Sequence, residues 1–120
     1  MNPKTEELLE RTFLFGVDTI NFLSKLPNNK VYSIIIYQLT KSSTSVGAKY
    51  EEAQAAESKR DFTHKIGIVL KEIRESNYWY RVFDAILPNG ISNKELKRLL
   101  NESTELKKIF TTIKINSGKK

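Results

Sequence analysis

Apolar residues in this chain recur at intervals of three and four, through segments of roughly 22 to 30 residues bounded by turn signals. That pattern leaves long helices packed side by side as the expected fold. In the third segment Phe62, Ile66, Val69, Ile73, Tyr80, Phe83 and Leu87 keep the spacing, interrupted at Ser76 or Asn77. A second face of the same segment repeats it with Ile68, Glu72, Glu75, Trp79, Val82 and Ile86. The first segment also carries two stripes: Leu9, Phe13, Gly16, Ile20 and Leu23, and then Leu8, Phe15, Phe22 and Leu26 with Thr12 and Thr19 between them.

The punctuation agrees with four helices. Pro3 suits a helix start, while Pro27-Asn28-Asn29 and Pro88-Asn89-Gly90 read as turns. Ser58-Lys-Arg-Asp61 resembles a weak capping box, and Ser92-Asn-Lys-Glu95 is a full one. The second segment has a stripe of Val31, Ile35, Leu39, Ser42, Val46 and Tyr50, but its middle is Ser42-Ser43-Thr44-Ser45 followed by Gly47-Ala48. Small side chains there admit a close helix neighbour and weaken the helix itself, so packing must hold it, with a kink near Gly47 as one consequence. The β-branched run Val31–Tyr37 is read as the buried start of this helix, since no β alternation extends over a useful length. The expected fold is all-α, an antiparallel up-down four-helix bundle forming one domain over residues 1–120, with a basic flexible tail from about 114.

Two stripes on one helix imply two neighbours. Self-association is the simplest cover for the surplus, and a single wide core-facing stripe is the alternative. The second stripes predict an oligomer interface at Ile68, Glu72, Glu75, Trp79, Val82, Phe15 and Phe22.

Composition excludes several classes. With no cysteine, disulfides, thiolate metal sites and cysteine nucleophiles are absent. No run of about 18 apolar residues suggests a membrane span, and the start Met-Asn-Pro-Lys-Thr-Glu-Glu lacks the pattern of a secretory signal, so a cytoplasmic location is expected. The net charge of +6 is uneven: residues 89–120 hold 8 basic and 3 acidic side chains, so an anionic partner is expected there.

Two stretches carry a family resemblance. Gln38, Leu39, Lys41, Ser42, Ser45, Val46 and Glu52 fall in step with one family block. Ser58-Lys59-Arg60-Asp61-Phe62 and Lys71-Glu72-Ile73-Arg74-Glu75-Ser76-Asn77-Tyr78-Trp79 fall in step with another. The chain thereby resembles the bacterial four-helix-bundle proteins encoded by intervening sequences of 23S ribosomal RNA genes, also described as S23 ribosomal protein-like. The accessory protein of diversity-generating retroelements is related. Gly47, Lys49 and Ala53 depart from the family's usual proline, asparagine and glycine. The resemblance implies a homopentamer with a basic surface and, in the retroelement branch, binding of nucleic acid and a reverse transcriptase.

Candidate chemistry is sparse. His64 has Arg60 and Ile68 at the positions four residues away, so it lacks co-ligands for a metal. Glu72 and Glu75 share a helix face without a nucleophile and read as interface carboxylates bridged to Lys41, Arg74 or Lys71. Tyr78, Trp79 and Tyr80 point three ways and read as packing, with Tyr78 able to stack on a base. The Ser-Thr run lacks both a basic partner and a phosphate-loop glycine pattern. No cofactor or metal and no enzymatic activity are expected. The basic set is Lys94, Lys97, Arg98, Lys107 and Lys108, with Lys114, Lys119 and Lys120 beyond. Multiplied around an oligomer, such a set forms a ring that holds phosphates without reading sequence. The expected function is RNA or DNA backbone binding through Lys94, Lys97, Arg98, Lys107, Lys108, Arg60 and Arg74. The alternative is a scaffold that docks a protein partner on its apolar faces.

Overall fold

Three of the helix starts in the computed structural model, which describes residues 1–88, 91 and 93–119, fall just after polar cap residues. The helices are α1 (Pro3–Leu23), α2 (Lys30–Ala53), α3 (Lys59–Ile86) and α4 (Asn93–Ser117). Asn2 Oδ1 accepts the Lys4 N–H at 2.7 Å, leaving Pro3 at the first helical position where its missing N–H costs nothing. Asn29 Oδ1 accepts from the Val31 and Tyr32 amides at 2.8 and 3.2 Å. Ser58 Oγ accepts the Asp61 N–H at 3.0 Å, and the Asp61 carboxylate accepts the Glu57 N–H at 3.1 Å. Each such cap contributes about 1 kcal/mol. Asn89, Gly90 and Ser92 lie outside the described residues, as does Lys120, so the third turn and the second capping box have no structural account.

The expected bundle is present, and among the described residues there is no strand. Consecutive helices pack against one another, and α1 returns to meet α4 more sparsely. The resulting rod measures 48 × 24 × 19 Å. α2 continues without a break through Gly47, and α4 continues to Ser117, past the point near 114 where a tail was expected.

The small residues of α2 do admit a close neighbour. A Cβ on Gly47 would stand 3.1 Å from the Thr12 carbonyl oxygen, and one on Gly16 would stand 3.3 Å from Thr44 Cα. A glycine from each helix thus lies on the other's backbone, about one turn apart, so that the α1 and α2 backbones approach to a distance a side chain would prevent.

At the bundle's middle the core is polar and satisfied. Ser76 Oγ bonds Ser42 Oγ at 2.9 Å, tying α3 to α2, and Asn77 Nδ2 donates to Ser103 Oγ at 2.9 Å, tying α3 to α4. Thr19 Oγ1 and the Tyr80 hydroxyl lie 2.6 Å apart, tying α1 to α3. The interruption of the third helix's apolar stripe at Ser76 and Asn77 is thus a layer of interhelical hydrogen bonds. No buried side-chain nitrogen or oxygen among the described residues lacks a partner. Apolar layers around Phe15, Phe22, Leu39, Ile73, Phe83, Leu99 and Phe110 enclose it. Each large side chain so enclosed is worth about 2 kcal/mol in transfer free energy.

Two expectations are corrected. Phe15 and Phe22, assigned to an oligomer interface, are 1% exposed and belong to the chain's own core. The other stripe of α1 is split: Phe13 at 61% and Ile20 at 45% exposure face outward, while its Gly16 and Leu23 are buried. Periodicity identifies both stripes but cannot say which one turns inward, because that depends on where α2 and α4 stand. Val31–Tyr37 does begin α2, but the turn is half-exposed: Ile35 is buried while Val31, Ile34 and Tyr37 face outward.

Candidate nucleic-acid interface

The fourth-helix cations divide according to the carboxylates they meet. Lys97 Nζ lies 2.7 Å from Asp84, and Arg98 contacts Glu95 at 2.6 Å and Asp18 at 3.0 Å. These bonds raise the Arg98 pKa above its ordinary value, the Glu95 hydrogen bond being the main cause, and hold Glu95 below the usual carboxylate range. Lys108 sits 4.0 Å from Glu105. Lys94 is exposed at the far N-terminal end of α4. Two of the five predicted phosphate contacts on this helix, Lys97 and Arg98, are therefore tied up in ion pairs that clamp it to α3 and α1, and Lys108 is paired within α4 itself.

A different set of cations converges. The N-terminal half of α3 and the C-terminal end of α4 border a groove of about 780 Å³. Lys59, Arg60, His64 and Lys71 line it from α3, Lys114 from α4 and Lys119 just beyond, and no lining residue is acidic. On α3 the succession Arg60, His64, Gly67 and Lys71 advances by about one turn per step along a single face. Gly67 has a local purpose here, since a Cβ on it would lie 3.3 Å from Lys114 Nζ. The missing side chain lets that ammonium lie against the helix. Lys59 Nζ donates to the Lys119 carbonyl at 2.6 Å, and Thr63 Oγ1 bonds Ser117 Oγ at 3.0 Å, closing the end of the groove.

The antiparallel register carries the track further. Gly67 faces Lys114 and Asn77 faces Ser103, which sets Arg74 across from Lys107. Of the seven predicted cations, Arg60, Arg74 and Lys107 thus join one track with Lys114, already counted in the fourth-helix basic set, and with three residues that sequence reasoning had not grouped with them: Lys59, His64 and Lys71. Along α4, Arg98, Lys97 and Lys94 lie about 24 to 30 Å from Lys114 and about 14 to 20 Å from Lys107. The spacing of Arg60, His64 and Lys71 was readable in the sequence. Lys114's place among them was not, because it depends on how α4 registers against α3.

Ile68, the first residue of the second α3 stripe, also borders the α3–α4 groove. Ile68, Glu72, Glu75, Trp79 and Val82 are all half-buried. The expected bridges from Glu72 and Glu75 to Lys41, Arg74 or Lys71 do not form among the described residues. Glu75 instead accepts the Trp79 indole N–H at 3.1 Å. Burial, reinforced by Glu75, raises the Glu72 pKa, with Lys71, Lys41 and Lys49 opposing. Tyr78 is exposed, stacked edge-on against Trp79 at 5.0 Å and covered by the Arg81 guanidinium at 5.5 Å. No group of three or more potential metal ligands occurs among the described residues, and no helix there is long and apolar enough to cross a membrane. The exposed apolar side chains Phe13, Ile20, Val31, Ile34 and Tyr37 belong to α1 and α2, across the bundle from the α3–α4 groove.

Comparison with known proteins agrees with the architecture. No curated protein matches the chain. A solved structure from Bacteroides thetaiotaomicron, described as a protein of unknown function from the S23 ribosomal protein family, is similar at 30% identity with a TM-score of 0.77. The match covers 88% of this chain and 96% of that one. The family profile for 23S rRNA-intervening sequence proteins matches residues 4–112. With four helices in the expected order and a family match over nearly its whole length, the chain belongs to the 23S rRNA-intervening sequence protein family.

Proposed function

We propose that this protein is a non-catalytic accessory protein of the bacterial cytoplasm that binds RNA or DNA by its phosphate backbone, through the α3–α4 groove. The observation that carries this reading is the run of cations along that groove with no carboxylate among the lining residues. Cations already paired to carboxylates gain little from a phosphate, whereas unpaired ones release the counterions condensed on the nucleic acid. The groove has no phenylalanine, tyrosine or tryptophan lining it, so backbone contact rather than base stacking is the expected mode.

If about five of these cations meet phosphates, affinity should fall roughly 500-fold between about 50 and 200 mM salt. The test is a titration of labelled RNA and DNA duplexes of equal length at both salt concentrations. Arg60→Gln, Lys71→Gln and Lys114→Gln should each weaken binding and reduce the salt slope by about one. Lys97→Gln and Arg98→Gln should change it little. Salt-insensitive binding, or a larger loss from the paired cations than from the groove, refutes the assignment.

Self-association is part of the same reading. Phe13, Ile20, Val31, Ile34 and Tyr37 present an apolar face that a second copy would cover, leaving the groove open on the opposite side. By family resemblance the assembly is a homopentamer. The second reading, a scaffold whose apolar face docks a protein such as a reverse transcriptase, rests on those same exposed residues. It predicts a partner interaction that survives high salt.

A further inference from the structure

The succession Arg60, His64, Gly67 and Lys71 does not stop at the groove. Further steps of three, four and three residues carry it through Arg74, Tyr78 and Arg81, so one face of α3 continues for about 32 Å. Every side chain along this stripe is exposed, and no carboxylate belongs to it. Lys71, Arg74 and Arg81 make no ion pair among the described residues.

Tyr78 is the only tyrosine, phenylalanine or tryptophan on the stripe, and it is 49% exposed. Its neighbours fix it in place without burying it. Glu75, beside the stripe, accepts the Trp79 indole N–H at 3.1 Å, and the Tyr78 ring meets the Trp79 ring edge-on at 5.0 Å. Arg81 Nε donates to Asn77 Oδ1 at 3.1 Å, which sets the guanidinium over the Tyr78 ring at 5.5 Å. Asn77 is in turn held by Ser103 and Thr104 of α4. A ring and a guanidinium anchored in this way lose little freedom when a flat ligand lies on them.

Phosphate contact alone gives that ring no role. A duplex keeps the faces of its bases stacked on one another, so along its length Tyr78 meets only sugar and phosphate. A single strand offers unpaired bases, whose faces stack on aromatic side chains and on arginine whatever their sequence. Cations for the backbone, followed on the same face by an exposed ring with an arginine beside it, form the combination that single-strand binding uses.

We propose, resting on the reading that this groove holds phosphates, that its ligand is a single-stranded nucleic acid. The backbone runs along the cations from Arg60 to Arg74, and beyond the groove an unpaired base stacks on Tyr78 beside Arg81.

The test is fluorescence anisotropy of the full chain with labelled strands of about 15 nucleotides, near the upper end of single-strand site sizes. Oligothymidylate, oligouridylate, a duplex of equal length and an abasic strand with the same phosphates are compared at about 200 mM salt, where the phosphate contribution is weakened. The single strands should bind more tightly than the duplex and about tenfold more tightly than the abasic strand, the low end of what one stacked base contributes. The tighter of the two shows whether the strand is DNA or RNA. Trp79, the chain's one tryptophan, should be quenched by strands that carry bases and not by the abasic strand. Tyr78→Ala should lose the same tenfold with its salt slope unchanged, whereas Lys71→Gln should lower the slope by about 0.7. Tyr78→Phe, which keeps the ring, should bind as the unaltered protein does. Equal affinity for the duplex or for the abasic strand, or undiminished binding by Tyr78→Ala, overturns the single-strand assignment and leaves phosphate binding standing. No binding of any strand even at about 50 mM salt overturns the phosphate reading as well.

Discussion

Replacing Gly47 with alanine tests the closest approach in the bundle. In an isolated helix the change is favourable by about 1 kcal/mol. Here the new Cβ would stand 3.1 Å from the Thr12 carbonyl oxygen and 3.3 Å from two further backbone atoms of α1, Thr12 C and Phe13 N. Backbone atoms cannot rotate away, so α1 as a whole would have to move, disturbing the packing of Phe15 and Thr12. Overpacking of this kind costs about 1–3 kcal/mol. Set against the propensity gain, the expected net destabilisation is about 1 kcal/mol. Gly67→Ala is the internal control. Its Cβ would meet only Lys114 Nζ and Cε, at 3.3 and 3.5 Å, the movable end of a long side chain. That variant should gain about 0.5–1 kcal/mol. The two variants should therefore differ by about 2 kcal/mol, or roughly 8 °C in Tm for a chain of this size. Urea unfolding followed by far-UV circular dichroism, with both variants at one protein concentration, measures the difference. If Gly47→Ala proves as stable as Gly67→Ala, the argument that α1 and α2 touch through their backbones is wrong.

Other consequences are open to measurement. Tyr80→Phe should cost about 1–2 kcal/mol by leaving the buried Thr19 hydroxyl without its partner, read from the same urea curves. Burial raises the Tyr80 pKa above 10.0, so the folded state keeps the proton that the unfolded chain releases. Its contribution is complete below about pH 10 and is lost as pH rises further, and Tyr80→Phe should flatten this alkaline fall. Glu102→Gln should weaken the α1–α4 edge by about 1 kcal/mol at low salt and by less at high salt, since the Arg11 pair is partly exposed. Ile34→Lys or Tyr37→Lys should shift sedimentation toward the monomer while leaving the helical content unchanged. An unchanged assembly would remove α2 from the interface.

Much of this molecule was readable before its tertiary structure. Helix starts at Pro3, after Asn29 and after Ser58 follow from local hydrogen bonding, which adjacent residues determine by themselves. The polar break at Ser76 and Asn77 was visible as an interruption, although its partners Ser42 and Ser103 were not. The candidate site was only partly legible. Arg60 and Arg74 were expected to bind phosphate together with Lys97 and Arg98, because a list of charges does not reveal which ones face Asp84, Asp18 and Glu95.

By itself the sequence determined four helices, their order and the stripes along each, because periodicity and capping act over a few residues. Two outcomes waited on the tertiary structure. One was which α1 stripe turns inward, with Phe15 and Phe22 in the core and Phe13 and Ile20 outside. The other was which cations stay unpaired. Both depend on the rotation and register of one helix against another, fixed by contacts such as Gly47 on Thr12 and Gly67 beside Lys114. Those contacts join residues dozens of positions apart, where a helical period carries no information.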